Sequence, residues 1–247
     1  MQIGADVYCD SQVILAELDR RAPAPRLARG MDWAVNLWAD RTWFQASVAV
    51  IFAEIGDAIP KEFAEDREKL SGRPFDVTAM KAAAPIMRAQ WRAYAAWLED
   101  GLGEGDFLGG DQPSLADVAA WMNVWWLSGA ARGQAQAMLA GLTRTQAWVE
   151  RIRAIGHGQR TEMPPSEAVK IAAGATPDLS STVAADDPSG LKPGERVVVQ
   201  ADDYGRDPLE GELVGLGPDR VTLARDAEGV GRLHVHFPRA GYVLTRR

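Results

Sequence analysis

Residues 111–130 read DQPSLADVAAWMNVWWLSGA. Ser114 stands just before an apolar run and Asp117 stands three residues later, which is the spacing of a capping box with Asp in place of the commoner Glu. The serine hydroxyl is expected to accept the backbone N–H of Asp117, and the carboxylate to accept the N–H of Ser114. Losing such a cap costs about 1 kcal/mol. Beyond the box, Leu115, Val118, Trp121, Met122, Val124, Trp125, Trp126 and Leu127 cover nearly every face of the helix. A helix that is apolar all round is buried all round. The segment therefore predicts the central post of a helical bundle.

The flanks agree with a bundle. Across residues 28–59, Trp33, Leu37, Phe44, Val48, Ile51 and Ile55 return every three or four positions or at multiples of that spacing, the period of one long helix, and Pro60 ends it. A charged connection follows, with room for one short helical turn. A second long helix is expected over 77–102, its buried stripe marked by Met87, Trp91, Tyr94, Trp97 and Leu98. Pro85 inside it predicts a kink or a late start. GLGEGDFLGG is a loop, and further helices are expected over 142–155 and 166–173. All nine tryptophans lie between Trp33 and Trp148.

After Ala173 the character changes. Residues 174–190, GATPDLSSTVAADDPSG, have no apolar period and read as a linker. Residues 191–247 hold the short runs ERVVVQA, EGELVGL, RVTLAR, RLHVHF and GYVLTR, separated by Gly, Pro and Asp. That pattern predicts a small all-β barrel or sandwich. Nine basic and nine acidic residues give this tail a net charge of 9 − 9 = 0, so the whole formal charge of −7 sits earlier in the chain.

An acidic balance argues against a nucleic-acid binder held by phosphate contacts. One cysteine excludes an internal disulfide. No stretch approaches the roughly 20 apolar residues of a membrane span, and no signal peptide is recognisable. The expected setting is cytoplasmic, without a nucleic-acid or membrane partner.

The chain opens MQIGADVYCDSQVILAELDRR, read as at most two short strands, residues 2–3 and 7–9, followed by a helix. With Asp10-Ser11 at that helix start and Ser114-Leu115-Ala116-Asp117 at the start of a buried helix, the order of motifs resembles the glutathione transferase family over residues 1 to about 173. The resemblance implies a mainly α fold. A remnant of a thioredoxin-like domain (1–22) would precede the all-helical transferase domain (26–173), with the linker (174–190) and the small β-barrel (191–247) as an added module. It implies glutathione as a loosely held co-substrate, its γ-glutamyl end at Asp10 and Ser11, and a small electrophile in a hydrophobic site that includes Trp38 and Phe44. It also implies a homodimer in the complete protein.

In the family, the catalytic Tyr, Ser or Cys and a cis-proline come before this point. Pro23, the first proline here, follows the helix instead. The resemblance therefore implies some ~70–80 further residues upstream, half a small domain, and no catalytic residue in the chain as given. Two strands and a helix alone would leave a sheet edge unpaired and an apolar face bare. Exposed apolar surface on the 28–59 helix, or a non-standard oligomer, is likewise expected.

Each candidate has a plainer reading. Asp10 and Ser11 are favoured N-cap residues. Cys9 reads as a small buried hydrophobe rather than a nucleophile. Trp33, Trp38, Trp43 and Phe44 lie at spacings that serve core or interface as well as a cleft. His234 and His236 alternate on a strand and share a face. Without a third ligand they read as surface groups and not as a metal site. His157, between two glycines, marks a helix end. Tyr204, Arg206, Phe237 and Tyr242 are candidate contacts of the tail, two of them expected in its core. Two functions follow. One is a glutathione S-transferase-like protein that conjugates or reduces small electrophiles when complete. The alternative is a non-catalytic binding or assembly protein on the same frame.

Overall fold

The computed structural model describes every residue except Pro23 and Pro25, so the Pro23 landmark lies outside the described residues. The chain divides into two compact units: residues 1–21, 69–72 and 159–247, and residues 22–68 and 73–158. No helix among the described residues is long and apolar enough to cross a membrane.

The first unit is built on a sheet of β1 (Gln2–Ile3), β2 (Asp6–Tyr8), β3 (Arg196–Ala201), β4 (Leu209–Leu216), β5 (Arg220–Ala227), β6 (Gly231–Pro238) and β7 (Tyr242–Arg246), with α1 (Ser11–Arg21) and α9 (Pro165–Ala173) beside them. Strand order is β1-β2-β6-β5-β4-β3-β7. This corrects two expectations. The tail is not a closed barrel: β3 to β6 form an antiparallel meander, β7 returns to β3, and the sheet stays open. Nor is the N-terminal edge bare. β2 pairs in parallel with β6, setting Asp6 opposite His234, Val7 opposite Val235 and Tyr8 opposite His236.

The alternation in ERVVVQA and its neighbours sends Val197, Val199, Leu213, Val221 and Leu223 into one buried cluster, against which Val7 and Cys9 pack. Residues 174–190 run along the sheet. Leu216 N–H donates to Thr182 O at 3.0 Å and Ala184 N–H to Leu216 O at 2.9 Å. Gly215 permits that approach, since a Cβ there would stand 2.8 Å from the Cβ of Ser181.

Polar groups lock β2 and α1 to the sheet. His236 is 1 % exposed, with Nε2 2.8 Å from Asp6 Oδ1 and Nδ1 3.0 Å from Thr222 Oγ1. A neutral imidazole satisfies both contacts, its Nε2–H donating to the carboxylate and its Nδ1 accepting from the hydroxyl. Burial pulls this imidazole below its ordinary pKa, with the Asp6 hydrogen bond opposing. Asp6 Oδ2 accepts the N–H of Asp178, whose carbonyl lies 2.9 Å from His234 Nδ1. Both histidines are therefore interior, which corrects the surface reading. Tyr8 stacks on His236 at 4.5 Å.

Below them, Glu17 is fully buried yet ionised. Burial alone would raise its carboxyl, but hydrogen bonds from Arg20 and Arg21 and the charges of Arg20 and Arg220 hold it at about 2. The contacts are 2.6 Å to Arg20, 2.7 Å to Arg21 and 3.3 Å to Arg220 on β5.

The second unit is helical. It contains α2 (Asp32–Trp38), α3 (Phe44–Ile55), α4 (Lys61–Ser71, its end assigned to the first unit), α5 (Val77–Leu102), α6 (Leu115–Ala130), α7 (Arg132–Leu139) and α8 (Thr143–Ile155). Three expectations change. The single helix over 28–59 is broken by a π-helical turn, Ala39–Trp43. The charged connection is a full helix, α4. And α5 begins at Val77 and continues through Pro85, so it has no late start there. The large apolar side chains exposed here are mostly elsewhere than on 28–59, where only Met31 stands out among the described residues. Ile86 and Trp97 project from α5, Val118 and Trp125 from α6. Hence α6 is a post with one open side rather than a helix buried all round.

Its start is held as the spacing requires. Ser114 N–H donates to Asp117 Oδ2 at 2.8 Å, and the serine hydroxyl oxygen accepts the N–H of Ala116 at 3.2 Å. Asp117 also accepts the N–H groups of Leu108 and Gly109 and the indole N–H of Trp148, at 2.8, 3.2 and 2.8 Å. One buried carboxylate thus ties the 107–110 loop, the first turn of α6 and α8 together.

Two outcomes are expected. Asp117→Ala leaves several buried donors without an acceptor and lowers unfolding free energy by about 3 kcal/mol in urea titrations, against about 1 kcal/mol for Ser114→Ala. Acid destabilises the sheet unit in two stages. The neutral His236 contributes stability that is complete above about 6.5 and lost as pH falls through its lowered pKa. Glu17 contributes stability present above about 4.3 and lost toward pH 2. Glu17→Gln costs about 3 kcal/mol at pH 7, and urea titrations across pH should show that gap closing as pH approaches 2.

Candidate functional site

The helix start singled out in the sequence is reached directly from β2. Cys9 continues the pairing, its N–H donating to His236 O at 2.9 Å. The chain then turns at Asp10, whose φ of +86° lies in the left-handed region. A non-glycine residue there is uncommon, though Asp tolerates it better than most. The turn places Asp10 as the cap of α1. Its carbonyl accepts the N–H of Ile14 at 3.2 Å and its Oδ1 accepts the N–H of Gln12 at 2.8 Å. Its Oδ2 takes a longer bond, 3.3 Å, from the Tyr242 hydroxyl on β7.

Ser11 opens the helix, exposed to solvent, and its hydroxyl has no partner among the described residues. Asp10 and Ser11 are thus brought together at one helix N-terminus, where N–H groups and the helix dipole favour an anion. The carboxylate beside them favours an ammonium.

Electrostatics around this turn sort donors from nucleophiles. Burial, then the Asp10 charge and hydrogen bond, push the Tyr242 hydroxyl up, so it stays a neutral donor. Burial also raises the Cys9 thiol. An elevated thiol pKa means little thiolate at neutral pH, and the thiolate is the reactive form. Cys9 packs with the sheet core instead. Of the tail residues, Tyr242 and Phe237 lie partly or fully inside, their rings 5.5 Å apart, while Tyr204 and Arg206 are exposed.

The aromatic candidates belong to the helical unit. Trp38 and Trp43 are five residues apart, which on a regular α-helix puts them about 140° apart. The π turn widens the winding and brings their rings to 5.2 Å. Asn123 of α6 holds that turn: its amide donates to Ala39 O at 3.0 Å while its Oδ1 accepts the Ser47 hydroxyl at 2.8 Å. Such π turns recur at functional sites.

Trp38 also meets Tyr94 and Trp97, each at 5.7 Å. The indole N–H groups of Trp38 and Trp43 are buried without a hydrogen-bond acceptor among the described residues. Their neighbours are aromatic rings, which accept N–H only weakly. Phe44 is turned elsewhere, stacked on Trp126 at 5.3 Å. Trp38 and Phe44 therefore take different neighbours, Trp38 on α5 and Phe44 on α6. Trp33 is half-buried, and His157 follows the left-handed Gly156 that ends α8.

The buried polar residues of the sheet unit escaped the sequence reading. Glu17-x-x-Arg20-Arg21 carries a local signal in its i, i+3 and i, i+4 spacing. Asp6, Thr222 and Arg220 carry none, because their partners are more than a dozen residues away in sequence.

Comparison with known proteins bears on residues 14–151, which match the family model described as glutathione S-transferase, C-terminal domain. No curated protein matches the chain. Among solved structures, a GST-like protein from Pseudomonas syringae superposes with a TM-score of 0.77 at 28 % identity, covering 99 % of this chain and 80 % of that one. That likeness extends through the tail strands as well as the helices. A family model spanning more than half of the residues, with Asp117 and its capping box inside the matched range, places this chain in the glutathione S-transferase family.

Proposed function

We propose that the chain is part of a glutathione-handling protein, the γ-glutamyl end of glutathione docking at the start of α1. The observation that carries this is the Asp10–Ser11 turn. An exposed hydroxyl without a partner stands at a helix N-terminus beside a carboxylate whose outer oxygen holds only a 3.3 Å bond. The γ-glutamyl group carries one carboxylate and one ammonium. Ser11 and the first turn of α1 would take the former, and Asp10 the latter.

The thiol would have to be activated by a group other than Cys9, whose own thiol is raised by burial, and this chain is proposed to bind glutathione without turnover. Trp38, joined to the exposed Trp97 and to Tyr94, is the better placed of the two aromatic candidates to meet a small apolar electrophile. Phe44 contributes through its stack on Trp126. Family membership supports glutathione as a loosely held co-substrate and a homodimer as the working form.

The second reading, a non-catalytic binding or assembly protein, is favoured by one observation: Asp10 is already engaged on both carboxylate oxygens within its own unit. Isothermal titration with glutathione separates the two. Millimolar binding, weakened about tenfold by Asp10→Ala and about threefold by Ser11→Ala, supports docking. Absence of binding at 10 mM, or binding indifferent to both variants, assigns the turn to capping alone. With 1-chloro-2,4-dinitrobenzene as acceptor, the 247-residue chain is expected to show no turnover above the uncatalysed rate. Turnover by this chain would overturn that expectation.

A further inference from the structure

The excursion between α3 and α5 is built unlike the rest of the helical unit. None of the 11 residues of α4 is buried, whereas α3, α5 and α6 bury Ile51, Trp91 and Leu127 completely. An isolated helix of that length is marginal in water. Its surface ion pairs, Lys61 with Glu65 at 3.0 Å and Arg67 with Asp66 at 2.5 Å, add little. What keeps α4 folded is therefore its attachment to its surroundings.

The attachments are few. Phe63, still 37 % exposed, sets its ring 5.9 Å from that of Phe52 on α3 and 5.9 Å from that of Phe75. Glu68 Oε1 accepts the N–H of Phe75 at 2.9 Å. The last turn is held separately: Leu70 O accepts the N–H of Gly205 at 2.8 Å, and Ser71 and Arg73 beyond it are also engaged. The first two turns of α4 thus depend on one half-exposed ring and one carboxylate.

The base beneath them is closed. Gly56, directly after α3, packs so tightly on Val77, the first residue of α5, that a Cβ there would stand 2.5 Å from Val77 Cγ1. Lys81 pairs with Asp57 at 2.5 Å, and Asp76 caps α5 by accepting the N–H of Ala79 at 2.9 Å. The two ends of the excursion are pinned to each other, so the first turns of α4 can leave their seat without disturbing the packing of α3 on α5.

Under that seat lies a row of rings. Phe75 meets Phe52 edge-on at 4.9 Å, Phe52 meets Trp126 at 6.0 Å, and Trp126 stacks on Phe44. Phe63 closes the near end of the row.

We infer that α4 is a lid: it opens as a local unit, Phe63 leaving Phe52 and Phe75 while the bundle stays folded, and each opening bares the end of the ring row. Local opening is cheap where few buried apolar contacts are lost, and lids are drawn from such segments. The lid governs access to the row from this side of the bundle. No residue of the Asp10–Ser11 turn enters the argument, so the glutathione reading and the lid stand or fall separately.

Amide hydrogen exchange on the intact chain, read residue by residue by NMR, tests this. The amides of Glu65 to Lys69 should be protected about a hundredfold less than those of Trp91 and Leu127. Their exchange should stay constant as urea is raised below the unfolding transition, because a local opening exposes little surface. The Phe75 amide should follow α4 rather than α5. Phe63→Ala should speed the α4 amides about tenfold, and the milder Phe63→Leu about threefold if alanine disturbs the fold. A core variant on α8, Ile152→Val, should speed Trp91 and Leu127 about fivefold and leave α4 within about twofold, since closing the lid does not involve that side chain. The inference is overturned if the α4 amides exchange as slowly as Trp91 and Leu127, accelerate with urea in step with them, or respond to Ile152→Val as they do. It is equally overturned if both Phe63 variants leave α4 exchange unchanged, for then that ring is no latch.

Discussion

Three residues of parallel pairing, Asp6 to Tyr8 against His234 to His236, decide what the sheet unit is. A pairing so short cannot hold a strand by backbone hydrogen bonds alone, since small strand sets are marginal in water. The side chains supply the rest. Asp6 reaches His236 and the backbone of Asp178, Tyr8 stacks on the His236 ring, and Glu17 one helix further on gathers Arg20, Arg21 and Arg220. A buried carboxylate and a buried imidazole are costly unless each polar atom is matched. Here they are matched across β2, β5, β6 and α1. The cost of burying these groups therefore turns into specificity. No other register of β2 on β6 offers Asp6 the imidazole of His236 and Tyr8 its face together, and a slip by one residue would send all three to the wrong side.

The same seam fixes the candidate glutathione turn. Because Cys9 is still bonded to His236 O, the chain has one residue, Asp10, in which to leave the strand and begin α1. A left-handed φ is the conformation that does this in one step, and the Asp side chain steadies it by accepting the N–H of Gln12. Strain of about 1–3 kcal/mol at such a residue persists only where the surroundings over-determine it. They do so here through the relay immediately before the turn and the Tyr242 hydroxyl beside it. The geometry that presents Ser11 to solvent is thus a consequence of packing two residues away.

How far the sequence could be read follows from the range of each interaction. The α6 cap was legible because its partners lie three residues apart, and the apolar period of α5 because it repeats along one helix. The π turn at Ala39–Trp43 was not. Its cause includes the amide of Asn123, 84 residues away, and five-residue spacing alone sets Trp38 and Trp43 apart. The tail strands were legible from alternation, but the open sheet they form was not, since the partner that β6 takes lies at the other end of the chain. His234 and His236 looked like surface residues because nothing local reveals Asp6, Thr222 or the Asp178 backbone. Glu17 is the intermediate case, with its arginines at helical spacing in plain view and its burial hidden.

Trp125 shows the complementary limit of pattern reading. Counting apolar residues around α6 predicts burial on all sides, and Asp117, Ala120, Val124 and Leu127 meet that prediction. The count treats every large apolar residue as core, but a helix needs only enough apolar surface to fill its contacts, and the remainder must be covered by something else or stay wet. On α6 the remainder is Val118 and Trp125, 41 % and 56 % exposed. A cleft beside Trp125 is lined by Arg132 and by Arg153, the latter held by Glu150 and lying over the Trp121 ring. Surface hydrophobes scattered singly need no explanation. Val118 and Trp125 lie about two turns apart on one face of α6, so its open side is a stripe of the helix and not a scatter of positions.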